Sequence, residues 1–326
     1  MSYSNSIIFG PIPSRRFGIS LGIDLSPSKK QCNFDCLYCE LEPAKTIEKM
    51  DIFPSVEEII SAIKDSFKKH PKIDVITITC NGEPTLYPKL NDLIDEIDKI
   101  KGETKTLILS NGSTIYKKEI FNVLLEIDIV KLSLDCVSEK CFKKLDRQNK
   151  SVEIEKIVPY MIEFSQKTTK DFVLEILFVK DVNDKDEEIE LLFNAVKQIN
   201  PKRVDIGTID RPPAYKVNPV SYEFLEKVAN RFENINVNIV FKNRPKLIQT
   251  YSEDEILFML KRRPLTKEDI ENMFDDKSKD ILSKLLEEKK ISIVNSSGVD
   301  FYKNVWKSLD NKNFFYYNST PLKLKS

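Results

Sequence analysis

Short β-rich runs alternate with longer amphipathic stretches between residues 19 and 241, and this alternation constrains the fold more than any other feature of the chain. Strands that alternate with helices form βαβ units and a parallel sheet. Six such units predict an α/β fold, an open or partial (β/α)6 barrel. Strands are predicted at 19–25, 75–80, 106–110, 129–134, 173–179, 203–208 and 237–241, with helices starting at Ser55 and spanning 88–100, 115–126, 152–166, 186–199 and 221–232.

The pattern changes after residue 250. Helices are predicted at 252–260, in the run RRPLTKEDIENMF and at 280–288, followed by two strands at 291–294 and 299–302 with a turn between them. Three helices and a hairpin are typical of a winged helix-turn-helix. We therefore predict two domains, a barrel over residues 1–245 and a winged helix over 250–326, as the length of 326 residues allows.

Charge and composition narrow the class of protein. Lys+Arg and Asp+Glu both number 51, so nucleic-acid binding would require a local basic patch. There is no apolar run of about 18 residues and no secretory signal at the N-terminus, so we expect no membrane span and a cytoplasmic protein. Six cysteines in a chain of this length do not indicate a disulfide scaffold.

Three of the cysteines, Cys32, Cys36 and Cys39, lie in the run QCNFDCLYCE just after the first predicted strand. Thiolates select iron–sulfur clusters, zinc or Cu(I). A cubane cluster usually takes four cysteines, so three would leave one iron open to a small molecule. Zinc would need a fourth ligand, and the only histidine, His70, lies in a predicted helix. A redox pair of Cys36 and Cys39 is also possible, but it leaves Cys32 unexplained.

This cysteine spacing, with Tyr38 before the last cysteine, resembles the signature of radical S-adenosylmethionine (SAM) enzymes. The surrounding run GPIPSRRFGISLGIDLSPSKKQCNFDCLYCE and the run DRPPA resemble a branch of iron–sulfur oxidoreductases related to the tRNA wyosine-synthesis enzymes, and the resemblance spans about residues 9–220. It implies a [4Fe–4S] cluster on the three cysteines, with SAM on the open iron. Reductive cleavage of SAM would give a 5′-deoxyadenosyl radical that takes hydrogen from a substrate.

Polar runs follow several predicted strands at the edge where such folds bind ligands. Gly82 and Glu83 come after the second strand, where radical SAM enzymes carry a Gly-Gly-Glu run that orients the methionine ammonium; Asn81 departs from this pattern. Asn111 follows the third strand. By resemblance it would lie beside the SAM carboxylate or ribose, although Ser-Asn-Gly and Asn-Gly runs are also ordinary turn signals.

Two further strand ends carry candidate SAM contacts. Ser133 and Asp135 alternate onto one face, where a carboxylate suits hydroxyls or a sulfonium. The alternative is a cap on a helix starting near Ser138, and one residue could do both. In the family, the backbone at Gly207 passes the adenine. Arg211 can pair with an anionic group of SAM or of the substrate.

The remaining candidates have simpler interpretations. Arg15 and Arg16 either bind a phosphate or carboxylate at the mouth of the site or are solvated charges. Cys80, Cys136 and Cys141 are too few for a second cluster without another ligand, so we predict small buried or neutral residues.

Two classes of function follow. The first is a radical SAM enzyme that draws electrons from a donor such as flavodoxin or ferredoxin and acts on an RNA base or a peptide recruited by the winged helix. The second is an iron–sulfur redox sensor that binds nucleic acid. A sensor needs no SAM pocket, so the strand-end runs favour the enzyme.

The cysteine run predicts the behaviour of three single variants. Replacing Cys32, Cys36 or Cys39 with Ala should abolish the [4Fe–4S] centre of anaerobically reconstituted protein, because each thiolate would bind one iron. Iron analysis and the visible absorption of the cluster measure this. Full iron loading in the triple variant would place the ligands elsewhere, and a colourless zinc protein would support the zinc alternative.

Overall fold

A computed structural model describes residues 7–14, 16–70, 72–232, 235–239, 247–262, 264–296 and 299–305. Its centre is an eight-stranded sheet whose strands neighbour one another in chain order, β1 to β8. β1 pairs with β2 antiparallel, and every later pair is parallel. The predicted α/β fold is therefore confirmed, with a mostly parallel sheet and helices between the strands.

The strands of this sheet are β1 Ile8–Ser14, β2 Gly18–Asp24, β3 Val75–Thr79, β4 Lys105–Ser110, β5 Ile129–Ser133, β6 Asp171–Phe178, β7 Arg203–Thr208 and β8 Val237–Ile239. The helices are α1 Val56–Lys69, α2 Leu90–Asp98, α3 Lys118–Glu126, α4 Glu139–Leu145, α5 Ile154–Lys167, α6 Asp186–Ile199 and α7 Tyr222–Ala229.

The helices start where the sequence supplies caps. The Ser55 hydroxyl accepts from the Glu58 amide and the Glu58 carboxylate accepts from the Ser55 amide, a capping box that fixes the start of α1. The apolar face of α1 packs into the main core through Val56, Ile59, Ile60 and Ile63. Amphipathic period and cap thus agree, which explains why the sequence located this helix well.

β1 was not predicted, and its direction overturns one expectation. Because β1 runs antiparallel to β2, the turn between them lies at the amino ends of the parallel strands, opposite the cysteine loop. Arg16 in this turn is neither solvated nor at the mouth of the site, since its side chain is only 12% exposed and pairs with Asp205 and Glu175. Arg15 lies outside the described residues.

The amino end of the barrel is closed by apolar packing. Phe17 packs against a cluster formed by the first part of four parallel strands, and the Arg203 guanidinium lies 5.3 Å from the centre of its ring. The residues of this cluster are Val75, Leu107, Ile129 and Val173. Ligands can therefore enter the barrel more readily from the carboxyl ends of the strands.

A buried ion network lies next to this apolar cluster, further into the barrel. The Asp205 carboxylate has no exposed surface and pairs with Arg16, with Lys131 at 3.4 Å and with Arg203 at 2.9 Å. Lys131 also bonds Glu175 on the neighbouring strand. Burial alone would raise the pKa of Asp205, but the three cations hold it below its ordinary value. The network fixes charged side chains in the interior without leaving the carboxylate unpaired.

The C-terminal residues form a second, smaller cluster. Helices α8 Glu253–Arg262, α9 Lys267–Met273 and α10 Asp276–Glu287 accompany an antiparallel sheet of β9 Leu265–Thr266, β10 Ile291–Ser296 and β11 Val299–Asn304. Their apolar side chains make a core separate from the main one. This core meets the barrel at β1, where Ile12 packs against it and the Tyr251 hydroxyl donates to the Pro11 carbonyl at 3.2 Å.

The ion network predicts a pH-dependent stability. Asp205→Asn should lower the free energy of unfolding at pH 7 by about 3–5 kcal/mol, because three cations lose a shared counter-charge that is fully buried. The folded pKa of Asp205 is depressed, so the contribution of its carboxylate is complete above the unfolded pKa of about 3.9 and is lost as pH falls through the folded pKa. Chemical denaturation of the wild type and of Asp205→Asn at pH 7 and at low pH should therefore show that the difference in their free energies of unfolding becomes smaller on acidification. The control is Asp65→Asn, which removes an exposed ion pair with Lys68 on α1. A difference in the free energy of unfolding between Asp205→Asn and the wild type that does not change with pH would contradict the prediction.

Candidate active site

The loop that carries the three cysteines is held against the end of β3 by backbone hydrogen bonds. The Gln31 amide donates to the Asn81 carbonyl at 2.7 Å, and the Glu83 amide donates to the Gln31 carbonyl at 3.0 Å. A side chain on Gly82 would place its Cβ 1.8 Å from the Gln31 carbonyl oxygen, and the φ of Gly82 is +144°. This glycine is therefore required by a close backbone contact.

The other side of the loop is tied to two further elements. Backbone carbonyls at the end of α4 accept hydrogen bonds from the Asp35 and Leu37 amides. In the loop after β7, the Ala214 amide donates to the Cys39 carbonyl at 2.7 Å. These bonds fix the loop between α4 and the β7 loop, in addition to β3. The bonds at the end of α4 are Asp35 N to Asp146 O at 3.0 Å and Leu37 N to Leu145 O at 2.8 Å, and in the turn after the helix Asn149 N donates to Asn33 O at 2.7 Å.

All three cysteines of the loop are free thiols and partly buried. Burial raises the pKa of each thiol, that of Cys32 to about 12, and the three groups interact electrostatically with one another. A metal centre binds thiolates, so its assembly here would release protons. Three sulfurs on one fixed loop are a donor set that fits an iron–sulfur cluster.

Glu83 is 1% exposed and lies in the connection that follows β3. One carboxylate oxygen accepts from the Ser110 hydroxyl at 2.7 Å and the Thr85 amide at 3.0 Å, and the other accepts from the Asn111 amide at 2.7 Å. Burial raises the pKa of Glu83, although these donors oppose the rise. The carboxylate is thus held rigidly, and it also joins the β3 and β4 ends.

Asn111 lies against the cysteine loop. Its Nδ2 is 3.8 Å from the Cys32 sulfur and donates to Asn33 Oδ1 at 3.0 Å, while its Oδ1 accepts from the Ser113 amide. The structure therefore brings Asn111 to the first cysteine, as expected for a residue of the same site.

Asp135 is 3% exposed and faces the loop from the end of β5. Its carboxylate accepts from the Tyr38 hydroxyl and from the Leu177 amide, at 2.7 Å for the latter. Burial raises its pKa. Asp135 does not cap α4, because the Ser138 hydroxyl performs that role by accepting from the Cys141 amide. Ser133 is partly exposed at the last position of β5.

Asp146 was missed from the sequence because it follows a helix rather than a strand. Its Oδ1 is 3.5 Å from the Cys36 sulfur, and its buried Oδ2 has no hydrogen-bond partner in the described residues. Burial and the nearby Asp135 raise its pKa. Three buried carboxyl groups, Glu83, Asp135 and Asp146, therefore surround the cysteine loop, and this favours a cationic ligand.

Gly207 and Arg211 lie where the β7 connection meets the loop. The Arg211 guanidinium is 3.3 Å from the carboxylate of Glu40, the residue after Cys39. Its buried Nε has no hydrogen-bond partner in the described residues. Gly207 lines the interior of the barrel beside it.

A cavity of about 460 Å³ fills the interior of the barrel below this point. The ion pair of Lys131 and Glu175 lies at its floor, Leu109 and Leu177 are apolar walls, and Arg211 lies at its rim. Of the SAM contacts predicted from the sequence, only Gly207 and Arg211 line this cavity. The other residues predicted to contact SAM lie outside the lining of this cavity.

The other three cysteines are buried or neutral, as predicted, but two of them form a disulfide that the sequence did not indicate. Cys136 and Cys141 are buried as predicted, but their sulfurs are bonded to each other, because the start of α4 places their Cα atoms 5.5 Å apart. A Glu188 oxygen lies within 4.8 Å of both sulfurs. Cys80 is a free, partly buried thiol that lines the barrel cavity, and burial raises its pKa, which agrees with the predicted neutral residue.

Comparison with known proteins agrees with this geometry. The sequence model of the Radical SAM superfamily matches residues 28–193. The chain belongs to the radical SAM superfamily. It is 43% identical over 299 residues to a UPF0026 protein of Helicobacter pylori, covering 91% of this chain and 97% of that protein. It is also 36% identical over 294 residues to the GTPase Obg of Brachyspira hyodysenteriae, covering 87% of this chain and 43% of that protein.

The fold also resembles that of a solved structure. SuiB of Streptococcus suis, bound to the precursor peptide SuiA, matches with a TM-score of 0.51 at 17% identity, over 65% of this chain and 47% of that chain. At this identity the likeness concerns the fold alone.

Membership establishes the class of this protein. It is a radical SAM enzyme, and enzymes of this superfamily use a [4Fe–4S] cluster and SAM as cofactors. The free thiols and the unpartnered Asp146 oxygen fit such a pair of groups. Among the described residues, no helix is long and apolar enough to cross a membrane.

Proposed function

We propose that Cys32, Cys36 and Cys39 hold the [4Fe–4S] cluster and that SAM lies between the cluster and the ends of β3, β4 and β5. The observation that carries this proposal is the convergence of three free thiols with Glu83, Asn111 and Asp135 at one edge of the sheet. When bound, cluster and SAM would together supply a radical able to remove a hydrogen atom from a substrate.

The buried carboxylates have a defined part in this arrangement. SAM carries an ammonium and a sulfonium, and a fixed carboxylate in a buried site stabilises such cations more strongly than water-exposed groups do. Glu83 lies beside Asn111, which reaches Cys32, so it is placed for the ammonium. Asp135, held by Tyr38, is placed for the ribose hydroxyls or the sulfonium. Ser133, the last residue of β5, is the other SAM contact proposed at this strand end.

The substrate would occupy the barrel cavity. Its volume of about 460 Å³ falls in the range of about 300–1,000 Å³ typical of small-molecule sites, and so it admits one base or one side chain rather than a folded macromolecule. An RNA base or a peptide residue would therefore have to be inserted from the open end. Arg211 at the rim, with an unused Nε, is placed to bind an anionic group of the substrate or of SAM.

We further propose that the three C-terminal helices and their hairpin form a winged helix that recruits the substrate. Its placement supports this role, because two lysines of the unit contact the flanks of the cysteine loop. Lys261 Nζ donates to the Pro27 carbonyl at 3.3 Å, and Lys303 Nζ is 3.2 Å from the Glu42 carboxylate.

A first experiment tests SAM binding and cleavage. Reconstituted protein reduced with titanium(III) citrate should release 5′-deoxyadenosine, measured by chromatography. Glu83→Gln and Asp135→Asn should each weaken SAM binding by about tenfold or more, the loss of one charge-assisted bond, and should leave the cluster absorption unchanged. Glu96→Gln, in an exposed pair on α2, is the matched control. Unchanged SAM affinity in both site variants would refute the placement of SAM.

A second experiment tests recruitment. An RNA fraction or a peptide fraction of a cell extract should accelerate SAM cleavage by the wild type. Lys277→Glu with Lys284→Glu, on the exposed face of α10, should remove this acceleration and leave cleavage without added fraction unchanged. Lys64→Glu with Lys68→Glu on α1 is the control. Full acceleration in the α10 variant would show that the helix does not recruit.

A further inference from the structure

A strongly basic surface lies on the outside of the barrel beside the cysteine loop. We call it the basic face, and it consists of Lys140, Lys143, Lys144, Arg147 and Lys150, all of which are exposed. Over residues 139–150 these five cations are accompanied by two acids, of which Glu139 is exposed and Asp146 is buried. Since the whole chain has no net charge, this is a local concentration of positive charge.

The helix period generates this surface. Lys140, Lys143 and Lys144 are three and four residues apart along α4 and so point outward on one side. The residues between them, Cys141, Phe142 and Leu145, are buried in the main core. The cations are thus presented by a helix whose other side is fixed.

The same helix is bonded directly to the cluster-binding loop. The Leu145 carbonyl accepts from the Leu37 amide at 2.8 Å, and the Asp146 side chain lies 3.5 Å from the Cys36 sulfur. A molecule bound to the basic face is therefore separated from Cys36 by only the end of α4.

Arg147 links the basic face to the loop through side chains. Its guanidinium lies 4.5 Å from the centre of the Tyr215 ring and 3.6 Å from the Asp35 carboxylate, and the Tyr215 hydroxyl donates to Asp35. Asp35 is the residue before Cys36. The edge of the basic face is therefore held in a fixed position relative to the cysteines.

A groove of about 780 Å³ crosses this surface. Its charged lining consists of three cations, Lys143, Arg147 and Lys150, and two acids, Glu139 and Glu155, so the cations remain in excess. It shares no lining residue with the barrel cavity proposed to hold the substrate. A partner seated in the groove would approach the cysteine loop from outside and would not enter the cavity. This separation favours a partner that exchanges electrons over a partner that supplies the substrate.

We propose that the basic face docks an acidic protein that carries one electron, of the flavodoxin or ferredoxin type. The proposal rests on the proposed function, since only an enzyme that reduces its cluster needs such a carrier. One electron leaves the reduced carrier and one enters the oxidised cluster, and no proton or chemical group is transferred. Complementary charge would bring the carrier to the face and orient it toward Cys36.

The test compares a protein donor with a chemical reductant. The variant is Lys140→Glu, Lys143→Glu and Lys144→Glu, and the matched control is Lys64→Glu, Lys68→Glu and Lys69→Glu on α1, whose last turn lies toward the amino ends of the strands. Binding of oxidised flavodoxin to the reconstituted protein is measured by calorimetry at low and high salt. SAM cleavage is measured with photoreduced flavodoxin and, separately, with titanium(III) citrate.

We expect the basic-face variant to lose flavodoxin affinity and flavodoxin-driven cleavage by about tenfold or more at low salt, and to keep cleavage with titanium(III) citrate within about twofold. The control should match the wild type in all assays. Unchanged flavodoxin binding and rate, or an equal loss with both reductants, would overturn the proposal. Binding of tRNA to the wild type and to the basic-face variant is measured in parallel. If the variant loses tRNA binding while its flavodoxin-driven cleavage is unchanged, the basic face binds RNA and not the electron carrier. Failure of the wild type to cleave SAM with titanium(III) citrate would refute the proposed function itself.

Discussion

The backbone hydrogen bonds of the cysteine loop are the constraint on which the rest of the site depends. A short loop with three thiols has little structure of its own, and here its peptide groups pair with β3, with the end of α4 and with the loop after β7. Gly82 is needed because a Cβ at this position would collide with the loop. The three thiols therefore have fixed positions before any metal binds, and preorganisation of this kind lowers the ordering cost of ligand binding.

Charge is arranged differently at the two ends of the barrel. At the amino end, Asp205 is buried among three cations and its charge is fully compensated. At the carboxyl end, Glu83, Asp135 and Asp146 are buried around the cysteines without a cation of comparable proximity among the partners described for them. The first arrangement stabilises the fold, whereas the second is a site whose electrostatics improve when a cationic ligand enters.

Much of the fold and part of the site could be predicted from the sequence, for physical reasons that differ by element. α6 was located to the residue because acidic residues open it, its buried positions follow a helical period, and Asn200 takes the left-handed conformation that ends it. β7 was located equally well because it is a short, largely buried run. β1 was missed because Gly10, Pro11 and Pro13 hide its strand pattern, and the position of Arg16 was wrong for the same reason. Asp146 belongs to a tertiary contact with Cys36, and local pattern cannot reveal such a contact. Lys131 within an apolar strand was a signal of the interior network that could have been used. The winged helix remains a prediction.

The chain order of the eight strands has a consequence for biosynthesis. Every strand pairs with the strand made just before it, so the sheet can lengthen from one edge as the polypeptide leaves the ribosome. The cysteines are made early, but the partner of the Cys39 carbonyl, Ala214, is made about when the seventh strand is complete. The loop thus reaches its final shape only after most of the barrel has formed, so an incomplete chain presents the three thiols without their final arrangement.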